Sequence, residues 1–223
     1  MAALSDLVTK QISDDLVWRE SELATMRKQL VSAPIGSVLE AALIRANLSM
    51  IYAHYEGFCK LALELYTDAL GRLNIQRKNL KWPLASYSMK QFRSDLASEQ
   101  DHGVFFTRFL DGFNRDINDI ASFEKFPQIS NLWPNLLLEW LQRLDLDSSC
   151  VTAEFARLDT LVNTRNQIAH GKKLMITDRA EVDKYAHSAQ LAMHEVAIGV
   201  SEALEKKLYI RHSIVYTIMH HAT

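Results

Sequence analysis

The chain has 223 residues, with 25 Lys and Arg against 27 Asp and Glu, a formal net charge of -2 at pH 7 and 48% hydrophobic residues. That length and apolar share suffice for a core without disulfide or metal staples, and they exclude a disordered or membrane-spanning chain. The balanced charge excludes a polycation built to coat nucleic acid, so any site for a polyanion must be local.

Only 7 Gly and 4 Pro leave too little turn chemistry for a sandwich or barrel. The expectation is an all-α fold: a helical bundle of about five main helices with a short-helix insertion, 1–223 forming a single domain. Cys59 and Cys150 lie far apart and outside any C-x-x-C or Cys/His cluster, which argues against zinc and a disulfide framework and for a reducing cytoplasm. The first residues lack the basic start and apolar run of a signal peptide. The most apolar segment is interrupted by Arg45, His54 and Glu56 before it could cross a bilayer. No cofactor, metal or membrane contact is expected, and the expected location is cytoplasmic.

Leu4, Val8, Ile12, Leu16, Leu23, Met26 and Leu30 recur mostly at three, four or seven residues and predict an amphipathic helix ending before Pro34. Ser37 and Glu40 form a capping box that opens a second helix running to about Gly71, apolar on most sides and expected to be the buried spine. The stretch 72–129 reads as an insertion. Its first part is basic and aromatic (Arg72, Arg77, Lys78, Lys81, Trp82, Tyr87, Lys90, Phe92, Arg93) and its second, from Asp95 to Glu124, is acidic. Short helices and loops are expected there. Ser130 is expected to start a helix carrying Leu136, Leu137, Trp140, Leu141 and Leu144, with Pro134 in its first turn. A fourth helix spans about Thr152 to His170 with Gly171 as its stop. Asp178 and Glu181 cap a last one to about Leu208, and 209–223 is a tail of undecided structure.

On the Thr152–His170 helix, 100° spacing separates an apolar stripe (Phe155, Leu158, Leu161, Val162, Ile168, Ala169) from a polar one (Asp159, Asn163, Asn166, His170). Arg165 falls in the apolar stripe, where an unpaired guanidinium is costly, so it needs either a buried partner or a ligand. Asn166 lies one turn below His170 and can hold its imidazole. Arg165 and His170 together offer a bidentate phosphate clamp and a proton carrier, which is what metal-free RNA cleavage by an attacking 2′-hydroxyl requires. Taken alone, His170 also suits a helix C-terminus for its charge. Arg-x4-His by itself recurs by chance in roughly one chain in five, but adding Asn after the Arg and Gly after the His lowers this to about one in a thousand.

The run from Leu158 to Gly171 resembles the R-N-x-x-x-H signature of HEPN domains, all-α ribonucleases common in toxin-antitoxin and anti-phage systems. Arg45 to Lys60, with the box Tyr52-Ala53-His54-Tyr55-Glu56-Gly57-Phe58, resembles the spine helix of the MAE-type and related RiboL-PSP branches. The resemblance implies a helical bundle that dimerises, two signature helix ends meeting at one cleft and cutting RNA without metal. A homodimer also suits the chemistry, since in-line displacement wants a base and an acid on opposite sides of phosphorus and each motif supplies one His.

Arg165, Asn166 and His170 are therefore the candidate catalytic residues, supported by Asp159 and Asn163. On the spine helix Arg45, Ser49, Tyr52 and Glu56 form a polar line. Glu56 there is either a second acid or base or a buried ion-pair partner, Arg165 being the obvious cation, and both readings require the two helices to touch. Arg77, Lys78, Lys81 and Trp82 are either an RNA-binding path, for single-stranded or tRNA-like RNA, or a solvated loop. Some HEPN toxins carry a modified Tyr two positions past the His; Lys172 stands there in this chain. His212, His220 and His221 do not match zinc spacing. A partner antitoxin or defence protein is expected, and the alternative function is a non-catalytic HEPN-like dimerisation or docking module.

Overall fold

The spine helix α2 (Val38–Arg72) starts where the capping residues require it. Ser37 Oγ accepts the Glu40 N–H at 3.0 Å, and the Glu40 carboxylate reaches back to the Gly36 N–H at 2.6 Å, one residue earlier than the usual reciprocal bond. Its other oxygen takes Nε of Arg179, which fastens the start of α2 to the start of the last helix. The Gly36 amide first, and then Arg179, hold the Glu40 carboxyl below its ordinary range. In this computed structural model residues 2–124, 130–172 and 178–211 are described.

Helices α1 (Ala2–Ser32) and α10 (Arg179–Glu205) pack along α2 and against each other. Val8, Ile12, Leu23 and Leu30 are buried as the α1 spacing requires, and Leu48, Ile51, Tyr52, Tyr55, Phe58 and Leu63 of α2 are almost wholly covered. Asp178 accepts the Ala180 N–H at 2.9 Å as cap of α10. That helix stops three residues short of Leu208, where Lys207 takes φ 52° and interrupts the helical path.

The insertion holds a 3-10 turn (Arg77–Asn79), α3 (Trp82–Ser88), α4 (Lys90–Ser98), α5 (His102–Thr107), a π turn (Arg108–Gly112) and α6 (Phe113–Asp116). Among the described residues no strand forms; Gln76 with Ile120 and Leu80 with Ile210 make isolated bridges. The aromatic residues of the acidic part pack on one another: Phe105 stacks on Phe109, and Phe109 on Phe113, at centroid distances of 6.4 and 6.0 Å. Phe105, Phe106, Phe109 and Leu110 are exposed.

Two more helix boundaries differ from the sequence expectation. α7 runs Pro134–Arg143, not from Ser130, because a proline ring disfavours the helical conformation of the residue before it; Trp133 is extended (φ -67°, ψ 149°). The span 152–170 is divided at Glu154 into α8 (Ser149–Ala153) and α9 (Phe155–Ala169). Glu154 accepts from Ser188 Oγ of α10 at 2.6 Å, while the buried Glu195 of α10 accepts the Cys150 and Val151 N–H groups at 2.6 and 3.0 Å. Those acceptors satisfy the amides at the start of α8 and dock the α8–α9 pair on α10. Leu158, Leu161 and Val162 of α9 are buried as expected; Phe155 and Ala169, the first and last residues of the helix, are exposed.

Candidate functional site

The end of α9 is built by its own backbone. His170 is the C-cap, and Gly171 follows at φ 70° with open space where a side chain would stand. The Lys172 N–H reaches the Gln167 carbonyl and the Gly171 N–H reaches the Ile168 carbonyl, each at 3.0 Å, the paired bonds of a Schellman turn. Arg45 of α2 donates from Nη1 to the Lys172 carbonyl at 2.8 Å, so the spine helix grips the turn immediately after His170.

Arg165 lies within the apolar side of α9 and is half-buried, as its stripe position requires. Its Cζ sits 4.7 Å from the centroid of the Tyr52 ring. Nη1 donates to Oδ1 of Asn131 and to Oδ1 of Asn166, both at 3.1 Å. Among the described residues Arg165 forms no ion pair, and its Nε and Nη2 make no hydrogen bond. Tyr52 is fully buried; its hydroxyl accepts the Leu132 N–H at 3.1 Å and lies 3.4 Å from Asn131 Oδ1. Burial, reinforced by the neighbouring Glu56 carboxylate, pushes the Tyr52 hydroxyl pKa up, so it stays protonated.

Glu56 is not the partner of Arg165. Its carboxylate pairs with Lys60 at 2.7 Å, one turn along α2, and faces Tyr52. The expected contact between α2 and α9 is present, but at Arg165 it is made by the Tyr52 ring instead of a carboxylate. The polar line of α2 does lie along the end of α9: Arg45 holds the turn and Tyr52 holds Arg165.

Asn166 joins Arg165 directly. His170 is exposed one turn on, and among the described residues its imidazole makes no hydrogen bond; its backbone N–H bonds the Asn166 carbonyl at 3.1 Å. Asp159 and Asn163 are exposed along the same polar line, without a hydrogen bond to Arg165. Asn131 has no signal in the sequence of its own, because it lies 34 residues before Arg165. Pro134 is a local clue only to where α7 begins, since it holds Trp133 extended; Leu132 is buried and Asn131 reaches α9.

The basic stretch is engaged within the chain. Arg77 donates to Ser88 and to the Asp116 carbonyl and lies near Asp119; Lys78 bonds Asn118; Lys81 pairs with Asp145 at 2.6 Å; and exposed Trp82 carries Arg211 at 4.1 Å from its ring centroid. Lys81 reaches past the C-terminal end of α7 and Asn131 precedes its N-terminal end, so the two are separated by about 15 Å of helix.

The rest of the spine-helix box packs on α1. Cβ at Gly57 would come within 2.9 Å of Arg19 Nη1, so the glycine leaves room for that guanidinium. Arg19 bonds Asp15 and lies 3.4 Å from Nδ1 of His54, whose Nε2 is 2.9 Å from Glu22. Phe58 is fully buried. Among the described residues no three His, Cys, Asp or Glu side chains gather where they could hold a metal ion, and no helix is long and apolar enough to cross a membrane. His212, His220 and His221 lie outside the described residues.

A family model described as MAE_28990-like HEPN matches residues 8–209, taking in α2, the Arg165–His170 motif and the insertion between them. The chain belongs to this HEPN family. No curated protein and no solved structure matches it. Within the HEPN fold seen here, the motif occupies a capped helix end held by the spine helix, and the Arg45–Tyr52 line of the spine is what holds it.

Proposed function

We propose that this HEPN domain is a metal-independent endoribonuclease that works as a homodimer. The observation that supports this best is the state of Arg165: its guanidinium lies over the Tyr52 ring, Nη1 is engaged by two amide oxygens, and Nε and Nη2 are left for a ligand at the helix end that exposes His170. That edge matches two oxygens of a phosphodiester. His170, held to no other group among the described residues, is placed to move a proton.

On this reading the RNA 2′-oxygen attacks the adjacent phosphorus and loses its proton to one imidazole. The O2′–P bond forms, the P–O5′ bond breaks, and a second imidazole protonates the departing 5′-oxygen, leaving a 2′,3′-cyclic phosphate and a 5′-hydroxyl. One chain offers one such His, and a second copy supplies the other. Arg165 meets the negative charge that grows on phosphorus. RNA contact by Arg77, Lys78, Lys81 or Trp82 would have to compete with the partners each already has in the chain, and would serve only a strand long enough to follow α7 for about 15 Å. A toxin or anti-phage effector held by a partner protein is the setting this activity suits.

The test is incubation of the full chain with single-stranded RNA in the presence of chelator, reading the ends. Cyclic phosphate ends that vanish in His170→Ala support the proposal. Undiminished cleavage by that variant, or a wild type that leaves RNA intact, rejects it in favour of a docking module.

A further inference from the structure

A guanidinium has five N–H donors in one plane and can offer a phosphate either its Nη1–Nη2 end or its Nε–Nη2 side. The Tyr52 ring, 4.7 Å from Cζ, holds the guanidinium in place but does not set its rotation. Rotation is set by acceptors. Nη1 already donates to two, Asn131 Oδ1 and Asn166 Oδ1, each at 3.1 Å, which leaves Nε and Nη2, the side-on fork, without an acceptor among the described residues. Asn166 is next to Arg165 on α9 and moves with it. Asn131 comes from a different part of the chain, and it is itself fixed: Leu132 is fully buried and its N–H bonds the Tyr52 hydroxyl, which also lies beside Asn131 Oδ1.

We infer that Asn131, acting with the Tyr52 ring, is the positioning residue that selects which edge of Arg165 meets the RNA phosphate; the inference rests on the nuclease reading. Its chemistry also accounts for an amide at this position. An Asp would keep the acceptor geometry but add a negative charge against Nη1, cancelling the charge the phosphate must meet and competing with it. A neutral acceptor orients Arg165 without neutralising it.

Two substitutions separate positioning from a structural bond. Asn131→Ala removes the acceptor, and a fork misplaced by about an ångström lowers kcat on a single-stranded RNA by ten- to a hundredfold with KM within about threefold. Asn131→Asp keeps or raises the melting temperature, since the bond to Arg165 becomes charge-assisted, yet weakens binding of the same oligonucleotide carrying 2′-O-methyl groups, which cannot be cut, by at least about tenfold. A residue serving stability alone gives the opposite pattern: Asp tolerated in binding, Ala harmful only to melting.

The cycle with Arg165→Ala completes the test. Asn131→Ala adds nothing further in that background if it acts through Arg165, whereas multiplying losses overturn the inference, as does an Asn131→Ala protein equal to wild type in kcat and binding. If wild type binds the methylated oligonucleotide but cuts nothing, the nuclease reading falls and the binding cycle alone decides Asn131. A wild type that neither binds nor cuts overturns both.

Discussion

The Arg165 guanidinium lies over the ring of Tyr52, its Cζ 4.7 Å from the centroid, and this contact joins the motif helix α9 to the spine helix α2 with no carboxylate between them. The ring gives the guanidinium a partner that does not quench its charge, while the hydroxyl of the same residue anchors Leu132 and so the loop that carries Asn131. Tyr52 thus serves packing and site geometry at once.

The two services separate by substitution. Tyr52→Phe keeps the ring under Arg165 but leaves the buried Leu132 N–H without its acceptor, so urea unfolding should show a loss of about 1–3 kcal/mol. Tyr52→Ala also opens a cavity beneath a fully buried ring and should lose about 3–5 kcal/mol. Equal losses in the two variants would show that the ring contributes nothing beyond its hydroxyl.

Arg45 makes a comparable tie on the other side of His170. Replacing it by Met keeps most of the stem and removes the bond to the Lys172 carbonyl, at a cost of about 1 kcal/mol. Hydrogen exchange should speed up at the Gly171 and Lys172 amides, which close the turn, more than at amides in the middle of α9. Unchanged exchange there would mean that the turn stands on its own Schellman bonds.

A further expectation concerns pH. His54 is buried between α1 and α2 beside Arg19, Asp15, Glu22 and Trp18, and burial is the main reason its pKa lies below the ordinary 6.5; Arg19 lowers it further and Glu22 opposes both. As pH falls below about 6.5 the unfolded chain takes up a proton at this position before the folded one does. Stability should therefore decline from pH 7 towards the folded-state pKa and be recovered on raising the pH. The urea midpoint should drop less between pH 7 and 5.5 in His54→Gln than in wild type; identical drops would exclude His54 as the source.

The helix count and class were legible because they rest on local, repeating chemistry: few glycines and prolines, apolar residues every third or fourth position, and caps at Ser37, Asp178 and Gly171. The boundaries that went astray did so where a neighbour overrode the pattern, at Pro134 through its ring and at Glu154 through Ser188 of another helix. Glu56 is the clearest case in the site. Its spacing marked a carboxylate on the right face of α2, yet a lysine one turn away met its charge first.

Spacing along one helix determined that Arg165 would be drawn inward, that Asn166 and His170 would follow it on the polar side, and that Gly171 would end the helix, since all of these depend on residues within a few turns of each other. Only the tertiary structure decided what Arg165 rests on and which of its edges is free. Its two fixing contacts, Tyr52 and Asn131, come from 113 and 34 residues earlier in the chain, and no local periodicity records the meeting of surfaces so far apart in sequence.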